Sequence, residues 1–332
     1  MLKGLDERTA SIYTPIQLDL GRVEARLRGL SQTDDSPYLG PLLDHVLTSG
    51  GKRIRPAITL LAADFYPHQP ENPITMAAAV ELLHVATLIH DDTVDNSDLR
   101  RGKATVSNAW GRNVAVLFGD YVFATSATFV CETGNVRVIR RFSETIMDLA
   151  SGELIELFSA FDAKQARKLY DERIYRKTAS LFCTAAETGA ILGGAPEPQT
   201  QALRAYGFNI GMAFQIMDDL LDVQGDAAEL GKPVGSDLRQ GVLTLPAIML
   251  MKRYPADNPI EKLFRELSED RDQDGQVPKV LDMINDSTII KDCYTVIRQY
   301  CETASRSLDE LPDCQARHSL LDLSGYLRER TH

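Results

Sequence analysis

Apolar residues along much of the chain recur every three or four positions, which is the period of a helix buried on one face. The first such segment, residues 11–31, carries apolar side chains at Ile12, Ile16, Leu20, Val23, Leu27 and Leu30. The same pattern predicts helices over residues 42–47, 56–66, 74–90, 113–131, 136–159, 166–192, 199–222, 243–254, 277–285, 288–308 and 316–329. The sequence has no convincing period-two alternation, which would indicate half-buried strands. We therefore expect an all-α fold.

Polar or glycine-containing stretches separate these helices and are expected to be connections. They include residues 31–41, a turn or short helix at 226–230, and the acidic segment 265–278, RELSEDRDQDGQVP. None is rich enough in Pro, Gly and Ser to indicate a linker between domains. A chain of 332 residues with 44% hydrophobic content can bury one large core. We expect a single domain over residues 1–332.

Carboxylates gather where the apolar helix over residues 74–90 ends. Asp91 and Asp95 are four residues apart, so they share one helix face, and Asp92 flanks it. Crowded, poorly hydrated carboxylates repel one another, and a divalent cation would cancel that cost. A single cluster of this spacing is nevertheless most often a solvated helix end.

The same spacing occurs a second time, in the segment AFQIMDDLLD at residues 213–222. It places Asp218, Asp219 and Asp222 at the end of another apolar helix. Oxygen ligands without thiolate or obligatory imidazole suit Mg²⁺, which keeps some waters and bridges carboxylates to a substrate phosphate. Two such clusters predict a facing pair of Mg²⁺-binding sets, with a central cavity flanked by the two DDxxD helices.

Positive charge is concentrated in short groups in a chain that is acidic overall, with a net charge of -11 and a pI near 5.1. This balance argues against binding nucleic acid or an anionic membrane across the surface. The groups lie at residues 50–56 (GGKRIRP), 100–101, 177–178 and 231–233. Two adjacent glycines before a helix start let the backbone turn closely around an anion. Grouped bases beside grouped acids indicate Mg²⁺ and phosphate together.

Features that bear on location indicate a soluble, cytoplasmic protein. The five cysteines are odd in number and form no CxxC, so we expect reduced thiols. Charged residues at positions 6–8 occupy the place where a secretory signal has its apolar segment. The two most apolar stretches are interrupted by Glu81 and His84 and by Asp120, so we expect no transmembrane segment.

The motifs, taken in order, resemble those of the trans-type polyprenyl diphosphate synthases, an isoprenyl diphosphate synthase family. A lone DDxxD is weak, but the ordered series from residue 50 to 246 is very specific: GGKRIRP, ELLHVATLIHDDTVD, RRG, GD, GE, YRKTASLF, FQIMDDLLD and LGKPVGSDLRQGVLTLP. The resemblance implies a helical bundle of the isoprenoid synthase type and a homodimer, for which residues 113–131 are a candidate interface. It also implies condensation of isopentenyl diphosphate with an allylic prenyl diphosphate.

The resemblance assigns roles to the candidate residues. Asp91, Asp95 and Asp218 are expected to be the main Mg²⁺ ligands, with Asp92, Asp219 and Asp222 as outer ligands or acceptors. The isopentenyl diphosphate site would comprise Lys52, Arg55, His84 and Arg101, and the allylic diphosphate would be held by Arg100, Lys177 and Lys232. Thr178 and Gln215 offer neutral oxygens that could stabilise an allylic carbocation. No side chain stands out as a base, and the departed diphosphate is a candidate proton acceptor.

One position departs from the family, whose members commonly carry Lys where this chain has Val242. The missing cation is expected to weaken diphosphate binding there or to shift it to Arg239. Product length is expected to depend on the positions just before Asp91. Ala86 and Thr87 are small, which favours a medium or long product over geranylgeranyl or farnesyl diphosphate. Leu83, Phe123 and Phe129 are candidates for the end of the product tunnel.

Three alternatives remain open. A subunit of a heteromeric synthase usually loses the aspartates, and both sets are present here. A terpene cyclase would not need Lys52, Arg55, His84 and Arg101. Glu81 and His84 form one Glu-x-x-His, but a di-iron bundle requires a second, and the sequence has none.

Overall fold

A computed structural model describes residues 7–33, 37–48, 50–165, 167–225, 234–268 and 275–329. The fold is all-α, as predicted, with a single two-stranded ribbon within the described residues. The helices are α1 Glu7–Ile12, a 3₁₀ turn Thr14–Ile16, α2 Gln17–Thr33, α3 Leu39–Leu47, α4 Ile54–Ala63, α5 Glu71–Val94, α6 Val106–Trp110, α7 Arg112–Glu132, α8 Val136–Phe158, α9 Arg167–Ile174, a π-helical turn Tyr175–Ala179, α10 Ser180–Leu192, α11 Glu197–Gln224, α12 Ser236–Arg239, α13 Leu245–Arg253, α14 Pro259–Ser268, α15 Gln276–Asn285, α16 Ile289–Ser307 and α17 Gln315–Glu329.

Several local elements differ from the sequence predictions. Strands β1 (Leu99–Arg100) and β2 (Lys103–Ala104) pair antiparallel, and two residues per strand are too few to show any alternation. The prediction of a connection over 265–278 is wrong at its start, because α14 continues to Ser268 with Ile260, Leu263 and Phe264 buried on one face. The predicted turn at 226–230 lies outside the described residues.

Contacts group the chain into two compact units. Unit 1 comprises Met1–Glu144, Leu181–Gly207 and Ser305–Tyr326, and unit 2 comprises Thr145–Ser180, Phe208–Ala304 and Leu327–His332. The expectation of a single domain stays a prediction.

Helix α5 forms the centre of unit 1. Its residues Ala77, Ala78 and Ala79 are fully buried, and their small side chains let α4 and α7 pack closely against it. Helices α10 and α4 also approach closely, since a Cβ at Gly189 would lie 2.2 Å from the carbonyl oxygen of Thr59. Near the end of α5, a Cβ at Gly119 on α7 would collide with the ring of His90, so α7 also packs closely beside the start of the first aspartate cluster.

Unit 2 carries the second aspartate cluster on α11. Elements within this unit also approach each other closely at glycines. A Cβ at Gly152 on α8 would lie 2.6 Å from the backbone nitrogen of Lys177, in the π-helical turn. Gly241 has a φ of +75°, and its Cβ would collide with Phe161, whose ring contacts Phe264 edge to face. Both glycines are therefore required by close packing within unit 2.

By length and composition alone, two described helices could cross a membrane, α5 and α7. In α5, 78% of the most apolar window is buried, as expected for a core helix, compared with 39% in α7. Helix α7 exposes Val114, Val116 and Leu117. It therefore presents an apolar face that the rest of unit 1 does not cover.

Candidate active site

The first aspartate cluster lies at the C-terminal end of α5. Asp95 caps the helix, and its backbone N–H donates to the carbonyl oxygen of Asp91 over 2.8 Å. Asp91 is half-buried and Asp95 is exposed, whereas Asp92 is buried. The cluster thus has two accessible carboxylates on successive turns and one carboxylate that faces the protein.

Arg100 holds the buried carboxylate of Asp92. Its Nε lies 2.8 Å from both carboxylate oxygens, and its Nη2 lies 2.7 Å from Oδ1. The β1–β2 ribbon presents this arginine, which the sequence predicted to bind the allylic diphosphate. In this structure the guanidinium therefore neutralises the motif itself, and about 39% of its side chain stays exposed.

Gly50 and Gly51 lead into α4, as the sequence predicted, and place Arg53 at its N-cap with a left-handed backbone. The Arg53 guanidinium is buried, and it donates to Glu81 on α5 over 2.6 Å and to Glu24 on α2. Sequence analysis did not anticipate this triad, because its members come from three separate helices. Glu81, the acid of the single Glu-x-x-His motif, is therefore a salt-bridge partner of Arg53 in this structure.

Aromatic side chains from distant parts of the chain position Lys52 and Arg55. Lys52 Nζ donates to the hydroxyl of Tyr326 over 2.6 Å, and its backbone oxygen accepts from the hydroxyl of Tyr13 over 2.9 Å. The Arg55 guanidinium lies 4.5 Å from the ring centre of Phe182. None of these three contacts has a local sequence signal, so spacing could not have revealed them.

His84 lies among these cations on α5. Burial lowers its pKa well below the ordinary value, and the nearby guanidinium groups of Arg55, Arg101, Arg100 and Arg53 lower it further. The imidazole is therefore neutral at physiological pH, in a region whose surrounding charge is positive. Such a region favours an incoming anion.

A cavity of about 70 Å³ in unit 1 opens beside these groups. Its polar lining includes Arg53, Glu81, His84, Asp92, Arg100 and Arg101. Arg101 has a left-handed backbone and donates to the carbonyl oxygen of Gly50. A Cβ at Gly51 would lie only 3.1 Å from Arg101 Nη1, so the second glycine lets the arginine approach the loop. Of the four predicted isopentenyl diphosphate ligands, His84 and Arg101 line this cavity.

The second aspartate cluster lies near the C-terminal end of α11. Asp218 is half-buried, and both Asp219 and Asp222 are buried. The Asp222 carboxylate accepts from the backbone N–H of Asp237 over 3.1 Å. Burial raises the pKa of Asp219 to about 6, against the opposing effect of hydrogen bonds from Gln215 and Tyr170. Asp218 is the least buried carboxylate of this cluster, and its role as the main ligand stays a prediction.

Thr178, Gln215 and Lys177 lie in the same unit. The Thr178 hydroxyl donates to Gln215 Oε1 over 2.5 Å, and Lys177 Nζ donates to Glu153 over 3.0 Å and to Glu156 over 2.5 Å. Lys177 and Thr178 both belong to the π-helical turn, an irregularity that is frequent at functional sites. Sequence periodicity predicted an unbroken helix here and missed this turn.

Lys232, predicted to bind the allylic diphosphate, lies outside the described residues. Val242 is buried, and Arg239, suggested as its replacement, is exposed on α12. Arg173 is a buried cation beside this segment, and its Nη2 donates to the carbonyl oxygen of Leu243 over 2.7 Å. Sequence analysis did not consider Arg173.

Six carboxylates are the candidate donors for Mg²⁺, and their chemistry fits that ion, which prefers oxygen ligands. Within the described part of the chain, no three Asp, Glu, His or Cys side chains form a ready-made metal cluster. Mg²⁺ usually keeps several waters and takes substrate phosphate oxygens as further ligands. Asp91, Asp95 and Asp218 are the more accessible members. They are therefore better placed to contact a metal ion directly than Asp92, Asp219 and Asp222.

Comparison with known proteins identifies the family of the chain. A family model described as polyprenyl synthetase matches residues 36–284. The chain belongs to the polyprenyl synthetase family.

Individual relatives are similar over almost their whole length. The chain is 37% identical to heptaprenyl diphosphate synthase component 2 of Geobacillus stearothermophilus, over 97% of this chain and 99% of the relative. It is 35% identical to octaprenyl diphosphate synthase of Escherichia coli, over 89% and 91%. Among solved structures, polyprenyl synthase from Caulobacter crescentus, complexed with calcium and isoprenyl diphosphate, has a TM-score of 0.90 at 31% identity, covering 98% of each chain.

Proposed function

We propose that this chain is a Mg²⁺-dependent prenyltransferase that condenses isopentenyl diphosphate with an allylic diphosphate head to tail. The product would be a medium- or long-chain polyprenyl diphosphate with trans double bonds. The observation that carries the proposal is that the chain has two aspartate motifs and, in addition, a cationic group around a neutral His84. Carboxylate oxygens suit Mg²⁺, and the cationic group suits a diphosphate. Relatives named heptaprenyl and octaprenyl diphosphate synthase support the product class.

The two diphosphates would be bound by different residues. Lys52, Arg55, His84 and Arg101 would bind isopentenyl diphosphate, and the lowered pKa of His84 supports an anion there, because an anion offsets the surrounding guanidinium charge. Arg100, Lys177 and Lys232 would bind the allylic diphosphate. Lys177 Nζ is held by the carboxylates of Glu153 and Glu156, and its compact ammonium on a flexible stem suits a phosphate oxygen.

When bound, Mg²⁺ would stabilise the charge that develops on the departing allylic diphosphate. Asp91, Asp95 and Asp218 would hold it, supported by Asp92, Asp219 and Asp222. Departure of the diphosphate leaves an allylic carbocation, which the double bond of isopentenyl diphosphate attacks before a proton is lost. The Thr178 hydroxyl and the Gln215 amide oxygen would offer partial negative charge to that cation without trapping it. The departed diphosphate would accept the proton.

The product is proposed to be long because the side chains of Ala86 and Thr87, about one turn before the first motif, are small. Ala86 is small and buried, and Thr87 uses its hydroxyl to bond the carbonyl oxygen of His84 over 2.8 Å. Phe129 is less suited to end a tunnel, since its ring packs against the guanidinium of Arg26 at 4.4 Å. Leu83 and Phe123 remain the better candidates.

Incubation with labelled isopentenyl diphosphate, Mg²⁺ and a series of allylic primers tests the proposal, with sizing of the dephosphorylated products. A ladder that continues beyond geranylgeranyl is the expected result. Termination at farnesyl or geranylgeranyl would overturn the product length but not the reaction. A folded chain that elongates no primer, but releases diphosphate from an allylic substrate alone, would be a terpene cyclase instead.

A subunit of a two-component synthase is the second candidate, because one relative is named component 2. In that case the purified chain would elongate only after addition of a partner. A homodimer is the simpler proposal, and the apolar face of α7 with Val114, Val116 and Leu117 is its candidate interface. Light scattering of wild type and of Leu117→Glu would test it, with dissociation of the variant expected.

We also propose a cytoplasmic location. Each of the five cysteines, all of them within the described residues, carries a thiol and is not in a disulfide, which supports a reducing compartment. Recovery of the protein in the membrane fraction after cell lysis would contradict this location.

A further inference from the structure

A chain of side-chain hydrogen bonds in unit 2 connects a fully buried tyrosine to the two neutral candidates for carbocation stabilisation. The Tyr170 hydroxyl donates to Asp219 Oδ2 over 2.7 Å, and Gln215 Nε2 donates to Asp219 Oδ1 over 2.8 Å. The Thr178 hydroxyl then donates to Gln215 Oε1 over 2.5 Å. Four side chains are thus joined in one sequence of donors and acceptors.

We propose that Tyr170 is a positioning residue for the prenyl transfer described above, because its hydroxyl fixes Asp219 and Asp219 fixes the side-chain amide of Gln215. This inference rests on the proposed function. It adds a residue that the motif series does not single out, since Tyr170 lies before YRKTASLF and 49 positions from Asp219.

Hydrogen-bond chemistry decides which group donates and which accepts at each step of this series of hydrogen bonds. A carboxylate only accepts, so Gln215 must turn its NH₂ group towards Asp219 and its carbonyl oxygen towards Thr178. With Oδ2 held by Tyr170, the carboxylate cannot rotate away from Gln215 without leaving a buried donor unpaired. The hydroxyl of Tyr170 therefore acts on the orientation of the Gln215 oxygen, which is the atom offered to the carbocation.

Tyr170 is 0% exposed, so it acts through Asp219 rather than on substrate. The guanidinium carbons of Arg167 and Arg173 each lie 5.6 Å from its ring centre. These contacts hold the ring and would persist when the hydroxyl is removed. Tyr170→Phe consequently changes one polar atom and little of the packing.

Tyr206 supplies a matched control in unit 1. It is also 0% exposed, and its hydroxyl donates to the carbonyl oxygen of Leu320 over 2.7 Å. In steady-state kinetics with labelled isopentenyl diphosphate, Tyr170→Phe is expected to lower kcat about tenfold, with KM for both substrates changed less than about twofold. Tyr206→Phe should lower the melting temperature by about as much as Tyr170→Phe does, but it should keep the wild-type kcat.

A double-mutant cycle with Gln215→Ala separates positioning from a general loss of packing. If Tyr170 acts through Gln215, adding Tyr170→Phe to Gln215→Ala should lower kcat by less than about twofold further. A full tenfold further loss would overturn the proposal, as would an unchanged kcat in Tyr170→Phe alone. If Tyr170→Phe fails to fold, Tyr170→Met, which also lacks the hydroxyl, takes its place in the same cycle.

Failure of this proposal and failure of the proposed function give different results. If the wild-type chain does not elongate any primer, the function fails. If it elongates and Gln215→Ala slows it, but Tyr170→Phe matches Tyr206→Phe, only the positioning role fails.

Discussion

Asp92 and Asp219 occupy the same place in their two motifs, yet different kinds of donor hold them. A guanidinium pairs with Asp92, with Arg100 Nε at 2.8 Å from both oxygens. Asp219 is held by a hydroxyl and an amide, from Tyr170 and Gln215, at 2.7 and 2.8 Å. One motif thus has its central charge neutralised within the protein, and the other has it only hydrogen-bonded.

The surroundings of the two motifs differ in the same sense. Near the first, burial and guanidinium groups lower the pKa of His84. At the second, burial raises the pKa of Asp219 to about 6. The group around His84 therefore favours an added anion, whereas at the second motif an added cation would offset the cost of burying the Asp219 charge. Identical DDxxD spacing predicts where carboxylates lie, but the neighbours decide what each cluster lacks.

Removal of an accessible carboxylate should have the largest effect. Asp91→Asn and Asp218→Asn are each expected to lower kcat/KM by at least about 10³-fold, because the metal contributes several kcal/mol of transition-state stabilisation. Label incorporation at saturating Mg²⁺ measures this loss. Asp286→Asn, at an exposed helix end, is the control. Near wild-type activity in either motif variant would contradict the assignment of that motif to the metal.

Removal of the guanidinium should come next and should affect the first motif alone. Arg100→Gln leaves the buried Asp92 carboxylate unpaired, so we expect a loss of about 2 kcal/mol in unfolding free energy. We also expect about a 10²-fold loss in kcat/KM for the allylic substrate. Urea unfolding and steady-state kinetics measure the two losses.

Two further variants sharpen the result for Arg100. Arg100→Lys keeps the charge but not the two-point geometry, and should recover only part of both losses. Arg22→Gln breaks the exposed pair with Glu71 and should leave both quantities near wild type. Full recovery by lysine would show that charge alone suffices.

A packing change should perturb the second region by an intermediate amount. Gly152→Ala puts a Cβ about 2.6 Å from the Lys177 backbone nitrogen, so the π-helical turn must move. We expect a loss of about 1–3 kcal/mol in stability and about a tenfold fall in kcat. Gly21→Ala in α2 meets nothing within 4 Å and should be neutral or stabilising. Equal behaviour of the two variants in unfolding and kinetic assays would refute the close approach.

The pH dependence of stability should show the smallest effect. His84 has a native pKa below its ordinary value of 6.5, so the unfolded chain takes up a proton that the native chain refuses. This contribution to stability is present above about pH 6.5 and is lost as the pH falls towards the lowered native pKa. Between pH 7 and 5.5, the melting temperature of His84→Gln should therefore fall by about 2 °C less than that of the wild type. An equal loss in both proteins would show that His84 does not titrate in this way.

Local spacing was enough to predict the helical fold and both aspartate clusters, because the apolar period and the i, i+4 geometry are properties of short segments. Spacing could not predict which side chain holds each group in place. The partner of Lys52 lies 274 positions away at Tyr326, and the partner of Arg53 lies 29 positions away at Glu24. Such contacts depend on how helices pack.

Short irregular elements were missed for a related reason. The β1–β2 ribbon that presents Arg100 and the π-helical turn that contains Thr178 are too short to have a period. Both carry predicted functional residues, so the sequence could nominate these residues as candidates but could not predict the backbone that orients them.

The two substrates are expected to differ in whether their binding depends on Mg²⁺. Calorimetric titration of a non-reactive allylic diphosphate analogue, with Mg²⁺ and with a chelator, tests this difference most directly. The allylic analogue is expected to bind tightly only with Mg²⁺, and to lose that binding in Asp91→Asn and Asp218→Asn. Isopentenyl diphosphate should bind equally with and without Mg²⁺, and should lose binding in Lys52→Ala. Tight binding of the allylic analogue in the presence of chelator would contradict the assignment of the two aspartate motifs to metal-dependent diphosphate binding.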